Sequence, residues 1–372
     1  MKRHVVEYIG RIKDAGAETL VKDYALLLDK NKFEVTVLCE DYEPDSANYR
    51  ILKENGISVV TTYNIKLDVI CRIMNRLFQS SFRSFLLRKK LKELKPDVLH
   101  VHLEELEDVK NCADLLSDCK IFYTCHNLPE RMIGSERPRE HEACEYLLKN
   151  NNLQIIALHE EMKKEINELF NIDSTVVVNN GIDVLRFRNV SETKDDIRKS
   201  IGVASNAYVI GHIGRFMYQK NHEFLLDIFG EVAKLNDKAH LLLIGEGKLE
   251  KEIKDKINKL NLNEKVTILS KRKDIPELLK AMDVYLFPSR WEGLSVALLE
   301  AEASGRLCVV SDTINPESFE SDDIVVLSLN EKPKEWAKAC LKPVPNVGAG
   351  HNIENYDIRN VVKRLEKLYE GN

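Results

Sequence analysis

Between Tyr208 and Asp312, short apolar runs alternate with stretches of helical character, and that alternation most restricts what the chain can become. The runs are Tyr208-Val-Ile-Gly-His-Ile213, Ala239 to Ile244, Val266 to Leu269 and Val284-Tyr-Leu-Phe287. Each is short and mostly apolar, as strands covered on both faces are. Strand and helix taking turns in this way give a parallel sheet flanked by helices. The same rhythm, less regular, runs earlier. Strands are expected at His4–Ile9, Phe33–Cys39, Gly56–Thr61, Pro96–His102, Lys120–His126 and Ile155–Leu158, with helices near Ala17–Lys30, Tyr49–Asn55 and Glu160–Phe170. The fold class is therefore α/β. A chain of 372 residues has room for two such domains, each with its own core. The break is placed after 190: Asn180-Gly181 makes a tight turn that Asp183 can cap, and a polar stretch follows. The second domain then covers 191–345.

The two ends of the constraining stretch carry the chemistry. At its start a strand ends in Gly214, with Arg215 next and Lys220 five residues on. Arg grips phosphate oxygens in pairs and Lys adds a mobile point charge. A helix N-terminus there would add N–H donors. Such charges would also steady a departing diphosphate. At its far end stands Trp291-Glu-Gly-Leu-Ser-Val-Ala-Leu-Leu-Glu300. A helix over Leu294–Ser304 puts Glu292 at its N-terminus and Glu300 two turns in. That eight-residue step is ~12 Å, a span suited to hydroxyls at two separate parts of one ligand. Backbone N–H groups of Gly293, Leu294 and Ser295 would face a phosphate or a sugar. Taken singly, each of these residues also reads as an ordinary surface charge or cap.

The segments Gly214-Arg-Phe-Met-Tyr-Gln-Lys-Asn221, Leu243-Ile-Gly-Glu-Gly-Lys-Leu249, Ala281-Met-Asp-Val-Tyr-Leu-Phe-Pro-Ser289, Glu292 with Glu300, and Ala303-Ser-Gly305 follow one another in order. Together they resemble the C-terminal half of the large retaining glycosyltransferase family 4, especially its capsule and exopolysaccharide members. The resemblance implies a GT-B fold, two Rossmann-like domains with parallel sheets facing an interdomain cleft. It implies retaining transfer from a nucleotide diphosphate sugar, usually a UDP-sugar, with no metal and no other cofactor. In it Arg215, Lys220, Glu292 and His126 are catalytic. Gly16, Arg272, Ile275, Gly293, Leu294, Ser295 and Glu300 bind the donor, Arg272 and Ile275 at its base. Gly16-Ala-Glu-Thr19 is similar to the family's glycine-rich turn, although Asp14-Ala15 replaces part of the glycine run. Thr124-Cys-His126 is similar to its Thr-x-His strand end. Gly305-Arg-Leu departs from its usual Gly-x-Pro. The last helix, 353–369, resembles the one that crosses back onto the first domain. Acceptors in the family are glycans or lipid-linked sugars.

Other features bound the alternatives. A net charge of −5 argues against general nucleic-acid binding. No apolar run approaches the ~18 residues of a membrane span. The eight cysteines are scattered and show no Cys-x-x-Cys pair, which suits reduced thiols in a cytoplasmic protein. The region 66–95 is strongly basic with apolar residues at helical spacing, a signal for peripheral contact with the inner face of the cell membrane, or for a core-packed helix with a solvated basic side. His100 and His102 share one strand face, where they could hold a metal if a third ligand existed or could simply satisfy each other's neighbourhood. Gly245-Glu-Gly247 has Glu250 where a dinucleotide fingerprint needs glycine. Two other functions stay open at this point. One is a sugar-nucleotide epimerase on the same architecture, the other a non-catalytic nucleotide-sugar sensor.

Overall fold

The computed structural model describes residues 2–43, 45–63, 80–103, 105–314, 323–342 and 353–371. The chain divides into two compact units, 1–181 with 358–372, and 182–357. The division therefore falls at Gly181, ahead of the position 190 expected from the polar stretch.

The first unit is built on strands β1 (Arg3–Ile12), β2 (Phe33–Tyr42), β3 (Ser58–Thr61), β4 (Val98–His102), β5 (Lys120–Thr124), β6 (Gln154–Ala157) and β7 (Val176–Val177). They form one parallel sheet in the order β3-β2-β1-β4-β5-β6-β7. The order reverses between β1 and β4. In such sheets ligands bind beyond the carboxyl ends of the strands at that reversal. All five residues of β4 are buried, its two histidines included. Both β1 and β2 run three residues past their expected ends, so the following loop is short.

That loop explains the missing glycines. Helix α1 (Gly16–Leu27) begins at Gly16, which is exposed. Asp14 turns away to the start of α2 (Ala47–Glu54). Its carboxylate accepts from Ser46 Oγ at 2.8 Å, Ala47 N at 2.9 Å and Asn48 N at 3.0 Å. The residue that departs from the family pattern thus caps a helix. Asp14→Ala is expected to lower stability by about 1 kcal/mol, read from the urea midpoint.

Only part of the basic region can be placed. Residues 64–79 lie outside the described residues, and α3 (Ser80–Leu94) follows. Arg83 does not sit on a solvated basic face. Its guanidinium lies 2.5 Å from Glu40, 2.6 Å from Glu105 and 2.8 Å from Asp108. Arg88 pairs with Asp114. Both arginines are spent on protein carboxylates. Among the described residues no helix is long and apolar enough to cross a membrane.

The last helix, α4 (Ile358–Glu370), starts later than expected, after a short 3-10 turn at Ile353–Tyr356. Ile358, Val361, Val362, Leu365 and Tyr369 are its buried face, spaced as one side of a helix. It belongs to the first unit. Glu366 accepts from Asp29 N at 2.7 Å, Arg364 donates to Asn179 at 3.1 Å, and Tyr369 packs edge-on against Phe33.

The second unit holds β8 (Tyr208–Ile213), β9 (Ala239–Ile244), β10 (Val266–Leu269), β11 (Val284–Phe287), β12 (Leu307–Ser311) and β13 (Ile324–Leu327). They pair in parallel in the order β10-β9-β8-β11-β12-β13. Again the order reverses in the middle, between β8 and β11. Its core gathers Ile210, Leu225, Phe229, Leu243, Leu286 and the fully buried Trp336. Asp283, inside the Ala281-Met-Asp283 segment, proves structural. It accepts from Val209 N at 2.7 Å and from the buried Arg198 at 2.6 Å, whose Nε binds Ala281 O. The described cysteines are unpaired, and all but Cys119 are buried.

Candidate functional site

In the second unit the two ends of the constraining stretch meet. Gly214 and Arg215 follow β8, and the loop Pro288–Ser295 follows β11, its neighbour at the reversal. Lys220 Nζ lies 2.7 Å from Glu292 Oε1, with only 14% and 8% of the two side chains exposed. Gln219 supports the same carboxylate at 3.3 Å and binds Trp291 O at 2.9 Å. Lys220 Nζ also stands 4.8 Å over the Phe287 ring. A second stitch is made by Arg290. Its backbone N–H donates to Gln219 O, its guanidinium to Asn221 Oδ1, and its plane lies 4.3 Å from the Tyr218 ring. Asn221, at φ 55°, ends this loop and begins a helix running His222–Leu235.

Arg215 is exposed, and its side chain makes no ion pair among the described residues. It is thus available to an anion, beside a lysine already committed to a carboxylate. Lys220 approaches Gly214 so closely that a Cβ there would lie 3.2 Å from its Cδ.

The glutamate pair is close to expectation in place but not in form. The helix is Val296–Ala303, so it begins two residues later than expected. Glu292 therefore sits in the loop, and only half of the eight-residue step to Glu300 is helical. Gly293, Leu294 and Ser295 are buried in that loop. Ser295 precedes the helix without closing its first turn by a side-chain bond. Glu292 and Glu300 both act on one group. Burial pushes the Tyr285 phenol well up, with Cys308, Glu300 and Glu292 adding to it, and Tyr285 donates to Ile213 O at 3.2 Å. The carboxylates and the Gly214 turn thus share a neighbourhood.

The two expected base-contact residues follow β10. Arg272 is held by Asp274, which receives its Nε at 2.7 Å. Ile275 opens the short helix Ile275–Ala281.

Two histidines escaped the sequence reading. His212 and His222 lie under the turn, fully buried with ring centroids 4.9 Å apart. Burial holds both neutral, His222 at about 4, with the charge of Lys220 acting in the same direction. His212 offered the signal of a histidine in a buried strand, whereas His222 opens the following helix.

The first unit carries His126, two residues beyond β5. Its Nε2 lies 2.9 Å from His102 Nδ1, and His102 Nε2 lies 2.8 Å from Glu7 Oε2. Glu7 is fully buried in β1. It is the third group that His100 and His102 lacked in the sequence, and it lies within metal-ligating distance of both. Hydrogen bonds already satisfy the cluster. Tyr369 donates to Glu7 Oε1 at 2.9 Å, and His100 binds Tyr369 and Thr124. Burial alone would raise the Glu7 carboxyl, but His100 and His102 bring it down to about 2. Burial, then His100, lowers His102 to about 4 despite Glu7. Burial, then His102, lowers His126 well below the usual histidine value.

Residues 15–186 match the model described as Glycosyltransferase Family 4, and residues 207–344 that of Glycosyl transferases group 1. The chain is 30% identical to glycosyltransferase MJ1607 of Methanocaldococcus jannaschii, itself uncharacterized, over 381 residues covering 98% of this chain and 92% of that one. It is 27% identical to the UDP-Gal:alpha-D-GlcNAc-diphosphoundecaprenol alpha-1,3-galactosyltransferase of Escherichia coli over 360 residues, 92% and 89% of the two chains. Among solved structures, Anabaena Alr3699/HepE in complex with UDP and glucose superposes with a TM-score of 0.74 at 17% identity, over 99% of this chain and 95% of that one. That likeness shows the fold, GT-B with two Rossmann-like units.

Proposed function

The chain belongs to the group 1, family 4 glycosyltransferases, and we propose that it moves a hexose or N-acetylhexosamine from a UDP-sugar to a glycan or lipid-linked acceptor, with retention at the anomeric carbon. The observation that carries the reading is the Lys220–Glu292 pair beside the exposed Arg215. A diphosphate needs cations that do not compete with one another. Arg215 is open to it, while Lys220 is anchored and keeps two further N–H donors to offer. In this reading they take up the negative charge that develops as the nucleoside diphosphate leaves, in place of a metal ion. Glu292 and Glu300 accept from hydroxyls, and the departing phosphate oxygen takes the acceptor's proton on the same face of the sugar. A UDP-bound structural neighbour and a relative named for UDP-galactose and a lipid-diphosphate acceptor support the choice of donor and acceptor.

A thermal-shift panel of UDP-, GDP- and ADP-sugars tests the donor. The UDP-sugar is expected to stabilise the protein by ~2.7 kcal/mol at a hundredfold excess over Kd, and Arg215→Ala to remove most of that shift. With acceptor present, UDP should be released and EDTA should leave the rate unchanged. Turnover of the UDP-sugar without acceptor and without UDP release would favour an epimerase instead. Inverted product stereochemistry by NMR would end the retaining assignment.

A further inference from the structure

We propose that Glu7 and His102 are positioning residues that fix His126 as its Nε2–H tautomer, so that His126 offers a bare Nδ1 to a ligand hydroxyl. The role for His126 rests on the transferase reading, but the tautomer follows from the hydrogen bonds of a buried, neutral His102. A carboxylate only accepts, so the nitrogen 2.8 Å from Glu7 Oε2 must be the protonated one, His102 Nε2. Neutral imidazole carries one N–H, which leaves His102 Nδ1 bare. The nitrogen 2.9 Å from it must then donate, and that is His126 Nε2. His126 in turn keeps Nδ1 as its acceptor.

The neighbours close off the other assignments. Tyr369 donates to Glu7 Oε1, so its oxygen accepts from His100 Nδ1, and His100 Nε2 accepts from Thr124. Burial outweighs the Glu7 charge that would favour imidazolium at His102, and the rings of His100, Tyr24 and His126 enclose it. Glu7 and its donors His102 and Tyr369 come from β1, β4 and α4, so the chain of bonds is set by the fold before any ligand arrives. The consequence is selective. A bare nitrogen accepts from a sugar hydroxyl and is repelled by a phosphate oxygen. Of the two partners open to a histidine at this strand end, it therefore takes the hydroxyl.

The test begins with the free full-length protein labelled with 15N-histidine, the His126 signals being those lost in His126→Gln. The proton is expected on Nε2, with Nδ1 in the range of an unprotonated nitrogen. A proton on Nδ1, or an imidazolium at neutral pH, overturns the proposal. This reading needs no donor and no activity, so it stands or falls separately from the transferase assignment. His102→Phe keeps a ring in place and removes the acceptor. In it His126 should show both tautomers, and kcat should fall roughly 10- to 100-fold while KM for the donor changes less than about twofold. Wild-type kcat in His102→Phe with an unchanged urea midpoint would equally overturn it.

Discussion

Lys220→Ala is expected to lower kcat roughly 10²- to 10³-fold and to destabilise the second unit as well. The first effect is the loss of one cation from the leaving diphosphate, comparable with removing one donor from a preorganised charge-stabilising site. The second follows from the pair itself. Glu292 is 8% exposed, so deleting Lys220 leaves a nearly buried carboxylate without its cation. Breaking such a pair costs roughly 3–5 kcal/mol, and the 14% exposure of Lys220 places this one toward the lower end. The two effects can be separated. Lys220→Met keeps the apolar stem beside Phe287, and adding Glu292→Gln removes the stranded charge. The double variant should recover most of the urea midpoint but none of the activity. Recovery of both would make the pair a structural brace and leave Arg215 without a partner in catalysis.

How much of this was visible in the sequence differs by scale. Short runs such as Val98–His102, apolar apart from its two histidines, and Val284–Phe287 read as covered strands, and both are. The last helix was expected only from the family resemblance, and Ile358, Val361, Val362 and Leu365 are the face it buries. The Lys220–Glu292 contact was within reach only as part of a joint pattern, since the two residues are 72 positions apart. Element ends were less legible. The helix after Glu292 starts at Val296 because Arg290 and Trp291 in the preceding loop are pinned to Gln219, a residue from another strand end. Glu7 was invisible for a related reason. One acidic residue among Val5, Val6, Tyr8 and Ile9 reads as an edge position until β4 brings two histidines against it. Asp14 read as a lost glycine because its partners lie on a helix more than thirty residues away.

Gly245→Ala is expected to disturb both stability and donor binding, for a reason the sequence disguised. Gly245-Glu-Gly247 looks like an incomplete dinucleotide loop, yet it supports the cation turn. Gly214 N donates to Ile244 O, Phe216 N to Glu246 O, and Leu249 N to Phe216 O, so the two turns are laced together by backbone. A Cβ at Gly245 would fall 2.0 Å from Gly214 O, and one at Gly247 2.5 Å from Phe216 O. Neither neighbour is a flexible side chain, so the ends of β8 and β9 must part. The overpacking should cost roughly 1–3 kcal/mol or more. It should also move Arg215, which follows Gly214 directly, and weaken the UDP-sugar thermal shift severalfold. Gly230→Ala is the internal control. That glycine lies inside the helix His222–Leu235 with open space around its missing Cβ, so alanine there should stabilise by about 0.5–1 kcal/mol and leave the donor shift intact. A Gly245→Ala protein with both the midpoint and the donor shift of the wild type would show that the close approach of these turns is not what holds Arg215 in place.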